Sequence, residues 1–338
     1  MVDLRTDSGD RYRRAFRSKR EAVAHERCVL LAIAAGTFGV EVKQVPTVRA
    51  FAADFIAWSE QYNKPSTVAA KRVALDVHLL PELGEMRLDA RELRAEVARF
   101  VTSKLKAGLS PKTVRNTLAV LGKLLSLAAE RGVIQSVPKL GAPRVTKPEP
   151  AFLTFEEAER LLDAAEPTWR TWLLVLLRTG LRVGEGLALH REDVELKGER
   201  PRITVRRSMW NGKEGLPKNG RLRVVPLTRE TVAALRAQQH LRGPYVFCHE
   251  DGRPFTHSEV KNVVPNACRR AGLAKRLTSH GLRHTYASHL VMRSTPVTTV
   301  RELLGHADLT MVARYTHLSP DVAHAAVQVL DAPASRGN

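Results

Sequence analysis

Acidic residues, cysteines and long apolar runs are all scarce in this sequence of 338 residues. The three cysteines, Cys28, Cys248 and Cys268, stand far apart, which argues against a disulfide framework or a zinc cluster; each is expected to be a small buried side chain. Apolar runs such as WLLVLL at 172–177 are too short to span a bilayer. The arginine-rich N-terminus shows no secretory signal, so we expect a protein of the reducing cytoplasm with no membrane contact.

The shortage of acidic residues leaves the chain strongly basic. It has 54 Lys and Arg against 35 Asp and Glu, a formal net charge of +19. This surplus indicates a polyanionic partner, and nucleic acid is the commonest one. An anionic membrane surface could also attract such a chain, but no long apolar run is present. No cluster of Asp and Glu is suited to Mg²⁺, so we expect neither a metal nor another cofactor.

The length predicts two domains. Residues 1–45 are interpreted as a basic N-terminal extension. Residues 46–135 carry about four amphipathic helices, two of which we expect Ser66 and Ser110 to cap. The proline-rich residues 136–152 are predicted to be a linker between the domains.

Residues 153–338 are predicted to form the second domain. Thr154 and Glu157 have the spacing of a capping box at its first helix. Three strands are expected, at 202–208, 214–218 and 221–227, with Asn219-Gly220 as the hairpin turn between the last two. Helices return after residue 257. The predicted fold class is therefore mostly α with a small antiparallel β-sheet.

Several basic and phenolic side chains of this second domain could meet in one site. Arg182 and Glu185 are one helical turn apart, where a plain ion pair is the simpler interpretation. His280 and Arg283 share a helix face by the same spacing. The other candidates are a lysine beside the predicted hairpin turn, a histidine after a glycine at a helix break, and a tyrosine nine residues later: Lys218, His306 and Tyr315.

This set of side chains suits chemistry at a phosphodiester. Guanidinium groups donate paired hydrogen bonds to phosphate oxygens, and fixed cations stabilise the charge that develops when phosphorus is attacked. Such an array needs no metal. A tyrosine hydroxyl, with a free pKa of about 10, becomes a nucleophile once its proton is removed.

Four motifs in order, TGLRVGEGLAL, PKNGRLRVVPL, HGLRHTYASHL and LLGHADLTMVARYTH, resemble those of the tyrosine recombinases, the phage integrase family. The resemblance covers roughly residues 46–330 and implies a helical core-binding domain followed by a mixed α/β catalytic domain. It implies a DNA strand-transferase that forms a 3′-phosphotyrosine through Tyr315. The phosphate would be held by Arg182, Arg283 and His306, with Lys218 protonating the leaving 5′ oxygen, His280 shuttling a proton and Glu185 in support.

The remaining candidates have less specific signals. Near helix starts lie four cations that could contact DNA, each of which could equally be a solvated surface residue: Lys71, Arg72, Lys112 and Arg115. Packing or capping is the expected role of His284, Tyr286, His289 and His317. Three tryptophans, Trp58, Trp169 and Trp172, are expected in the core, while for Trp210 a DNA contact and packing stay open.

The two ends of the chain also allow predictions. The stretch GDRYRRAFRSKREAVAHE is similar to the last strand and helix of an arm-type DNA-binding domain, and we expect no strand before it. Residues 320–330 are predicted to form a tail helix that packs either on its own domain or on a neighbouring protomer.

The resemblance implies a homotetramer that acts on two sites of double-stranded DNA, in the cytoplasm of a bacterium and associated with its nucleoid. We expect integration or excision of a phage or other mobile element, with an accessory DNA-bending or directionality protein as a further partner. Two alternatives stay open: a type IB topoisomerase that relaxes DNA, and a non-catalytic, sequence-specific DNA-binding regulator.

Overall fold

The computed structural model describes residues 1–5, 11–34, 45–146, 151–217, 220–305 and 313–315. The chain divides into two compact units, Met1–Thr146 and Lys147–Asn338. This division falls inside the segment predicted as a linker. Helices dominate, and the strands are few, short and antiparallel, which confirms the predicted fold class.

The N-terminal segment contains a small hairpin and one helix. Strand β1 (Val2–Arg5) pairs antiparallel with β2 (Arg11–Arg14), and helix α1 (Lys19–Ala34) follows. The prediction that no strand precedes the basic stretch is therefore wrong, because β1 is too short for its sequence pattern to distinguish it from coil. Cys28 in α1 is exposed, contrary to expectation, whereas the other two cysteines are buried.

The rest of the first unit consists of packed amphipathic helices. They are α2 (Val48–Tyr62), α3 (Pro65–Val73), which continues through a π-helical turn (Ala74–Leu79) into α4 (Leu80–Leu83), then α5 (Leu93–Lys106) and α6 (Pro111–Glu130). Their apolar faces form one core around Phe51, Phe55, Leu79, Leu121 and Leu124. Burial of these faces stabilises helices that would be marginal in isolation.

Ser110 and Ser66 were the two residues predicted to cap helices in this unit. The Ser110 hydroxyl accepts a hydrogen bond from the Thr113 backbone N–H and begins α6, as predicted. The Ser66 cap is wrong, because α3 begins one residue earlier at Pro65, with Lys64 before it. The fixed φ angle of proline favours the first helical position, and this preference sets the helix start.

The second unit surrounds the apolar helix α8. Its helices are α7 (Phe155–Asp163), α8 (Pro167–Thr179), α9 (Val183–Leu187), α10 (Arg229–Ala237), α11 (His257–Val260), α12 (Val263–Arg270), α13 (Ser279–Met292) and α14 (Val297–Leu304). The capping box of Thr154 and Glu157 is present at α7. The side chains of α8 from Trp172 to Leu177 are all buried in the core.

The strands of this unit differ from the prediction. Strand β3 (Val194–Glu195) pairs with β4 (Arg202–Val205), which pairs with β7 (Arg223–Pro226); β5 (Ser208–Trp210) pairs separately with β6 (Lys213–Gly215). The predicted hairpin between 214–218 and 221–227 is therefore wrong.

The turn of the β5–β6 hairpin is a different Asn-Gly pair. Asn211 and Gly212 both have positive φ angles, 51° and 75°, as a two-residue type I′ turn requires. The sequence contains this dipeptide twice, and the predicted turn is the wrong copy. Lys218 and Asn219 lie outside the described residues.

Other predictions concern the tryptophans and the tail. Trp172 is buried, and Trp58 and Trp169 are half-buried against the two cores, whereas Trp210 on β5 is exposed. The predicted tail helix at 320–330 lies outside the described residues. Within the part of the chain that the structure describes, no helix is both long and apolar enough to cross a membrane.

Candidate active site

Arg182 and Glu185 stand at the start of α9, just after α8 ends. The Glu185 carboxylate accepts hydrogen bonds from the backbone N–H and from Nη1 of Arg182, each at 2.8 Å. The Glu185 side chain is fully buried, while that of Arg182 is 23% exposed. The predicted pair exists, but it is more than a surface ion pair, because burial leaves the carboxylate dependent on its partners.

A second arginine, which the sequence analysis did not single out, completes this pair. Arg223 on β7 donates from Nη1 and Nη2 to the two carboxylate oxygens of Glu185, at 2.9 and 2.5 Å. Its Nε also donates to the backbone carbonyl of Leu303, at 3.0 Å. Buried and exposed side chains alternate along β7, and Arg223 shares the buried face with Val225. This alternation is the sequence pattern from which burial of Arg223 could have been predicted.

The arginines keep Glu185 ionised. Burial opposes the charged form, but the hydrogen bonds and charge of Arg223, followed by the charge of Arg182, outweigh it and lower the pKa of Glu185 to about 2. The carboxylate is therefore a fixed negative charge at neutral pH. It orients both guanidinium groups and is not a proton donor or acceptor there.

Arg283 on α13 is the most deeply buried of the arginines, at 2% exposure. Its Nη1 donates to the Gly180 carbonyl at 2.5 Å, and its Nη2 donates to the Leu304 carbonyl. Burial, followed by the charge of Arg182, lowers its pKa to about 9, so the guanidinium stays charged at neutral pH.

The four charged side chains make a cationic centre. Three positive charges and one negative charge leave a net charge of two, and Arg182 is the member most open to solvent. A cleft of about 590 Å³ opens beside Arg182 and Arg223 and is also lined by two further arginines, Arg221 and Arg301. The arrangement can bind an anion such as a phosphate, with Arg182 in direct reach.

Tyr315 is buried in the same unit, at 2% exposure. It packs in a small cluster with Tyr286, Ala287, Val291, Val300 and Leu304. Burial raises the pKa of its phenol to about 12, although the positive charges of Arg314 and then of Arg283 act in the opposite direction. The hydroxyl therefore carries its proton at neutral pH.

The hydroxyl of Tyr315 is hydrogen-bonded to Nδ1 of His284. Burial, followed by the charge of His280, lowers the pKa of His284 to about 4, so the ring is neutral; in the tautomer with its proton on Nε2, Nδ1 accepts a hydrogen bond from the phenol. The expectation that His284 serves packing or capping is therefore wrong. The available signal was the i,i+4 spacing from His280, which places both histidines on one face of α13.

His280 is exposed in the first turn of α13, and its ring lies 4.5 Å from that of His284, centroid to centroid. Thr278 directly precedes the helix, and its side chain makes no capping hydrogen bond. His289 on α13 is buried and bonds to the Leu153 carbonyl, a packing role as expected. The predicted site residues Lys218 and His306 lie outside the described residues. So does His317, which was expected to pack or cap.

The four cations predicted to contact DNA occupy different environments. Lys71 and Arg72 are in the last turn of α3 and not near a helix start as the prediction assumed, because the helix begins at Pro65. Lys71 is buried and donates to the Ser59 hydroxyl at 2.9 Å, and Arg72 pairs with Glu60. Lys112 and Arg115 are exposed at the beginning of α6, where the prediction placed them.

Metal-binding side chains do not cluster in the described part of the chain. Among those residues, no three of His, Cys, Asp and Glu stand close enough together to hold a metal ion. The charged groups that the structure does bring together in this site are the arginines and Glu185.

Comparisons with known proteins identify the family of this chain. The model of the phage integrase family matches residues 151–321. The tyrosine recombinase XerC of Xanthomonas campestris pv. campestris is 32% identical over 261 residues, covering 74% of this chain and 75% of that protein. The tyrosine recombinase XerD of Listeria innocua serovar 6a is 25% identical over 244 residues, covering 67% and 78%.

Solved structures show the same fold at lower identity. The Tn1549 transposon integrase in complex with a circular intermediate DNA has a TM-score of 0.73 and 20% identity, covering 84% of this chain and 99% of that one. A lambda integrase tetramer bound to a Holliday junction has a TM-score of 0.66 and 17% identity, covering 94% and 92%. By the family match and the similarity to XerC, this chain belongs to the phage integrase family of tyrosine recombinases.

Proposed function

We propose that this chain is a site-specific DNA recombinase that cleaves and rejoins duplex DNA through a 3′-phosphotyrosine on Tyr315. One observation carries the proposal. A cationic centre of three buried or half-buried arginines meets a buried tyrosine at the end of α14, where Arg283 bonds to the Leu304 carbonyl and Tyr315 shares an apolar cluster with Leu304. Such a pairing of fixed cations with a nucleophile is what transfer of a phosphodiester requires.

The chemistry follows from the charges. The scissile phosphate binds Arg182 from the cleft side, with Arg283 behind it, and the positive N-terminus of α13 adds to the attraction. The Tyr315 oxygen attacks phosphorus, and the bond from phosphorus to the 5′ oxygen breaks. The negative charge that spreads over the phosphate oxygens meets cations that are already in place, so little reorganisation is needed.

Protons move at two places in this scheme. The phenol loses its proton as it attacks, and Lys218 gives a proton to the departing 5′ oxygen. His284 is a poor final acceptor, because its pKa of about 4 lies far below that of the phenol at about 12. We assign the proton from Tyr315 to His280, which stands next to His284, and a hydrogen bond to the phosphate to His306.

The docked tyrosine is a resting state in this proposal. Its hydroxyl is protonated, hydrogen-bonded and out of water, so it does not attack a phosphate that is wrongly placed. Binding of the phosphate frees the hydroxyl from His284, and the positive charges of the arginines offset the repulsion between the phosphate and the developing phenolate. In the second step of the reaction, a DNA 5′ hydroxyl attacks the phosphotyrosine and reverses the same events on a new strand.

The larger assembly is also part of the proposal. We assign a homotetramer on two DNA sites, in the service of a phage or other mobile element, with an accessory DNA-bending or directionality protein. Support comes from the fold shared with a lambda integrase tetramer on a Holliday junction and with a transposon integrase. Lys112, Arg115 and Arg72 are assigned to DNA phosphates, whereas buried Lys71 is assigned to packing.

The proposed cleavage reaction can be tested without knowing the target sequence. A library of duplexes with a randomised core and a nick near the centre is incubated with the protein, and covalently bound DNA is recovered after denaturation. The nick lets the cleaved fragment diffuse away and so traps the adduct. We expect adducts enriched in one sequence for the wild type and none for Tyr315→Phe.

Other outcomes separate the alternatives. Adducts without any consensus, together with relaxation of supercoiled plasmid, would identify a topoisomerase. Sequence-specific binding without any adduct would identify a non-catalytic regulator. Either result would overturn the proposal.

A further inference from the structure

Arg223 is a buried cation in a strand, on a face that apolar side chains usually occupy. It is 9% exposed and stands on the face of β7 that also buries Val225. Taking an arginine out of water is costly unless each of its donors finds a partner. All three of its nitrogens have one, since Nε bonds to Leu303 and both Nη atoms bond to Glu185.

The two targets of Arg223 belong to different parts of the site. Glu185 is the carboxylate that also holds Arg182, the guanidinium most open to the cleft. Leu303 is in the last turn of α14, a helix that ends at Gly305, immediately before His306. Through these bonds, Arg223 links Arg182, by way of Glu185, to the end of α14. His306 and Tyr315 follow this helix in the sequence.

The end of α14 is held by two arginines at once. Arg223 binds the Leu303 carbonyl, and Arg283 binds the next carbonyl, that of Leu304. Carbonyls in the last turn of a helix have no partner within the helix, so cations stabilise them there. Gly305 follows with a left-handed φ of 64°, and a Cβ at this position would lie 2.9 Å from Cδ of Arg223.

We propose that Arg223 is a positioning residue for strand transfer, which sets Arg182 through Glu185 and is itself held in place by its bond to the Leu303 carbonyl at the end of α14. This inference rests on the proposed function. With Arg223 present, the Glu185 carboxylate is shared between two guanidinium groups. Without it, Arg182 becomes the only guanidinium bonded to a fully buried carboxylate, which draws Arg182 away from the phosphate.

The charge argument predicts a specific dependence on Glu185. If Arg223 acts by sharing that carboxylate, then its loss matters only while residue 185 is charged. Replacing Glu185 by Gln removes the charge that would capture Arg182. The Glu185→Gln/Arg223→Met double variant removes one buried charge of each sign and keeps the net charge of the site, so it keeps the test open where a single variant folds poorly.

The experiment uses the nicked duplex whose sequence is enriched in the covalent adducts of the library experiment. Two quantities are measured on it for each variant. The first is the single-turnover rate of adduct formation at saturating protein, and the second is the DNA dissociation constant in a Tyr315→Phe background. For Arg223→Met we expect the rate to fall by about 10²- to 10³-fold, with affinity within about 3-fold of the wild type. Arg223→Lys, which keeps a charge but cannot reach both targets, should recover only part of the rate.

Arg202→Met is the matched control, since Arg202 lies on the adjacent strand β4 with about half of its side chain exposed and pairs with Glu195. Its rate should match the wild type. In the Glu185→Gln background, adding Arg223→Met should cost less than about a tenth of what it costs alone.

Two results would overturn the inference while the proposed function stands. One is a rate for Arg223→Met within about 3-fold of the wild type; the other is an equal loss with and without the Glu185 charge, which would indicate packing alone. Absence of any adduct from the wild type is a different result, because it would refute the proposed function itself.

Discussion

The phenol of Tyr315 and the imidazole of His284 both lie out of water, and burial moves their pKa values apart, to about 12 and about 4. Each group is thereby kept neutral over the physiological range. A hydrogen bond between two neutral groups holds the nucleophile without activating it. In the proposed reaction, activation comes from the positive charges of the surrounding arginines, which favour the phenolate, and from a group that takes the proton.

This pair also makes the stability of the fold depend on pH. The unfolded chain protonates His284 near 6.5 and the folded chain only near 4, so between these values the unfolded state binds more protons. The contribution of His284 is complete above pH 6.5 and is lost as the pH falls towards 4. It amounts to at most about 3.5 kcal/mol, since one pKa unit corresponds to about 1.4 kcal/mol.

We therefore expect His284→Gln to flatten the loss of stability between pH 6.5 and 4, measured by denaturant unfolding at several pH values. His289 also has a pKa lowered by burial and will leave a residual slope, so His289→Gln serves as the comparison. An unchanged slope in His284→Gln would contradict the assignment of a buried, neutral acceptor.

Among the helices and strands, α14 matters most for the site, because the carbonyls at its C-terminal end bind Arg223 and Arg283. Gly305 ends the helix in the left-handed region, and its missing Cβ leaves space for the Arg223 side chain. Alanine there would meet both a backbone penalty and a close contact with Cδ of Arg223, at 2.9 Å.

Gly305→Ala should therefore lower the free energy of unfolding by about 1 to 3 kcal/mol and slow adduct formation more than it weakens DNA binding. Gly272→Ala is the matched control: Gly272 also has a positive φ, 63°, but a Cβ there would contact nothing within 4 Å. Equal effects of the two substitutions on adduct formation would show that backbone strain alone, and not the contact with Arg223, is responsible.

The elements differ in how far the sequence determines them. Amphipathic helices such as α2 and α6 were predictable, since period and caps agree. The hairpin was misplaced because two Asn-Gly pairs give the same local signal. Strand β7 pairs with the more distant β4, so the hairpin forms at Asn211-Gly212 instead.

Within the site, the residue types were predictable but their environments were not. Arg182, Glu185, Arg283 and Tyr315 were all named from their motifs. The same reasoning missed Arg223 and His284, because burial and the choice of hydrogen-bond partner depend on residues distant in sequence. Lys71 was misjudged for the same reason, since its contacts with Ser59 and the Phe55 ring arise only on packing.

At the scale of the whole molecule, the net charge of +19 predicts DNA binding that weakens steeply with salt. Each phosphate contact contributes about one unit to the slope of log affinity against log salt. If Lys112 and Arg115 bind phosphates, Lys112→Ala/Arg115→Ala should reduce the slope by about two and weaken binding at all sequences alike.

Lys104→Ala provides the control for that measurement. Lys104 is mostly buried and pairs with Glu82 at 2.6 Å, so its charge is already neutralised within the protein. Its removal should leave the slope unchanged. A slope that stays the same in the double variant would remove Lys112 and Arg115 from the DNA interface.

The central claim is that Tyr315 is the residue that becomes bonded to DNA. The most direct measurement is mass spectrometry of the trapped adduct after digestion with protease and nuclease, which identifies the residue that carries the nucleotide. We expect the modification on Tyr315, linked to a 3′ phosphate. A nucleotide on any other residue, or a linkage to a 5′ phosphate, would contradict the account.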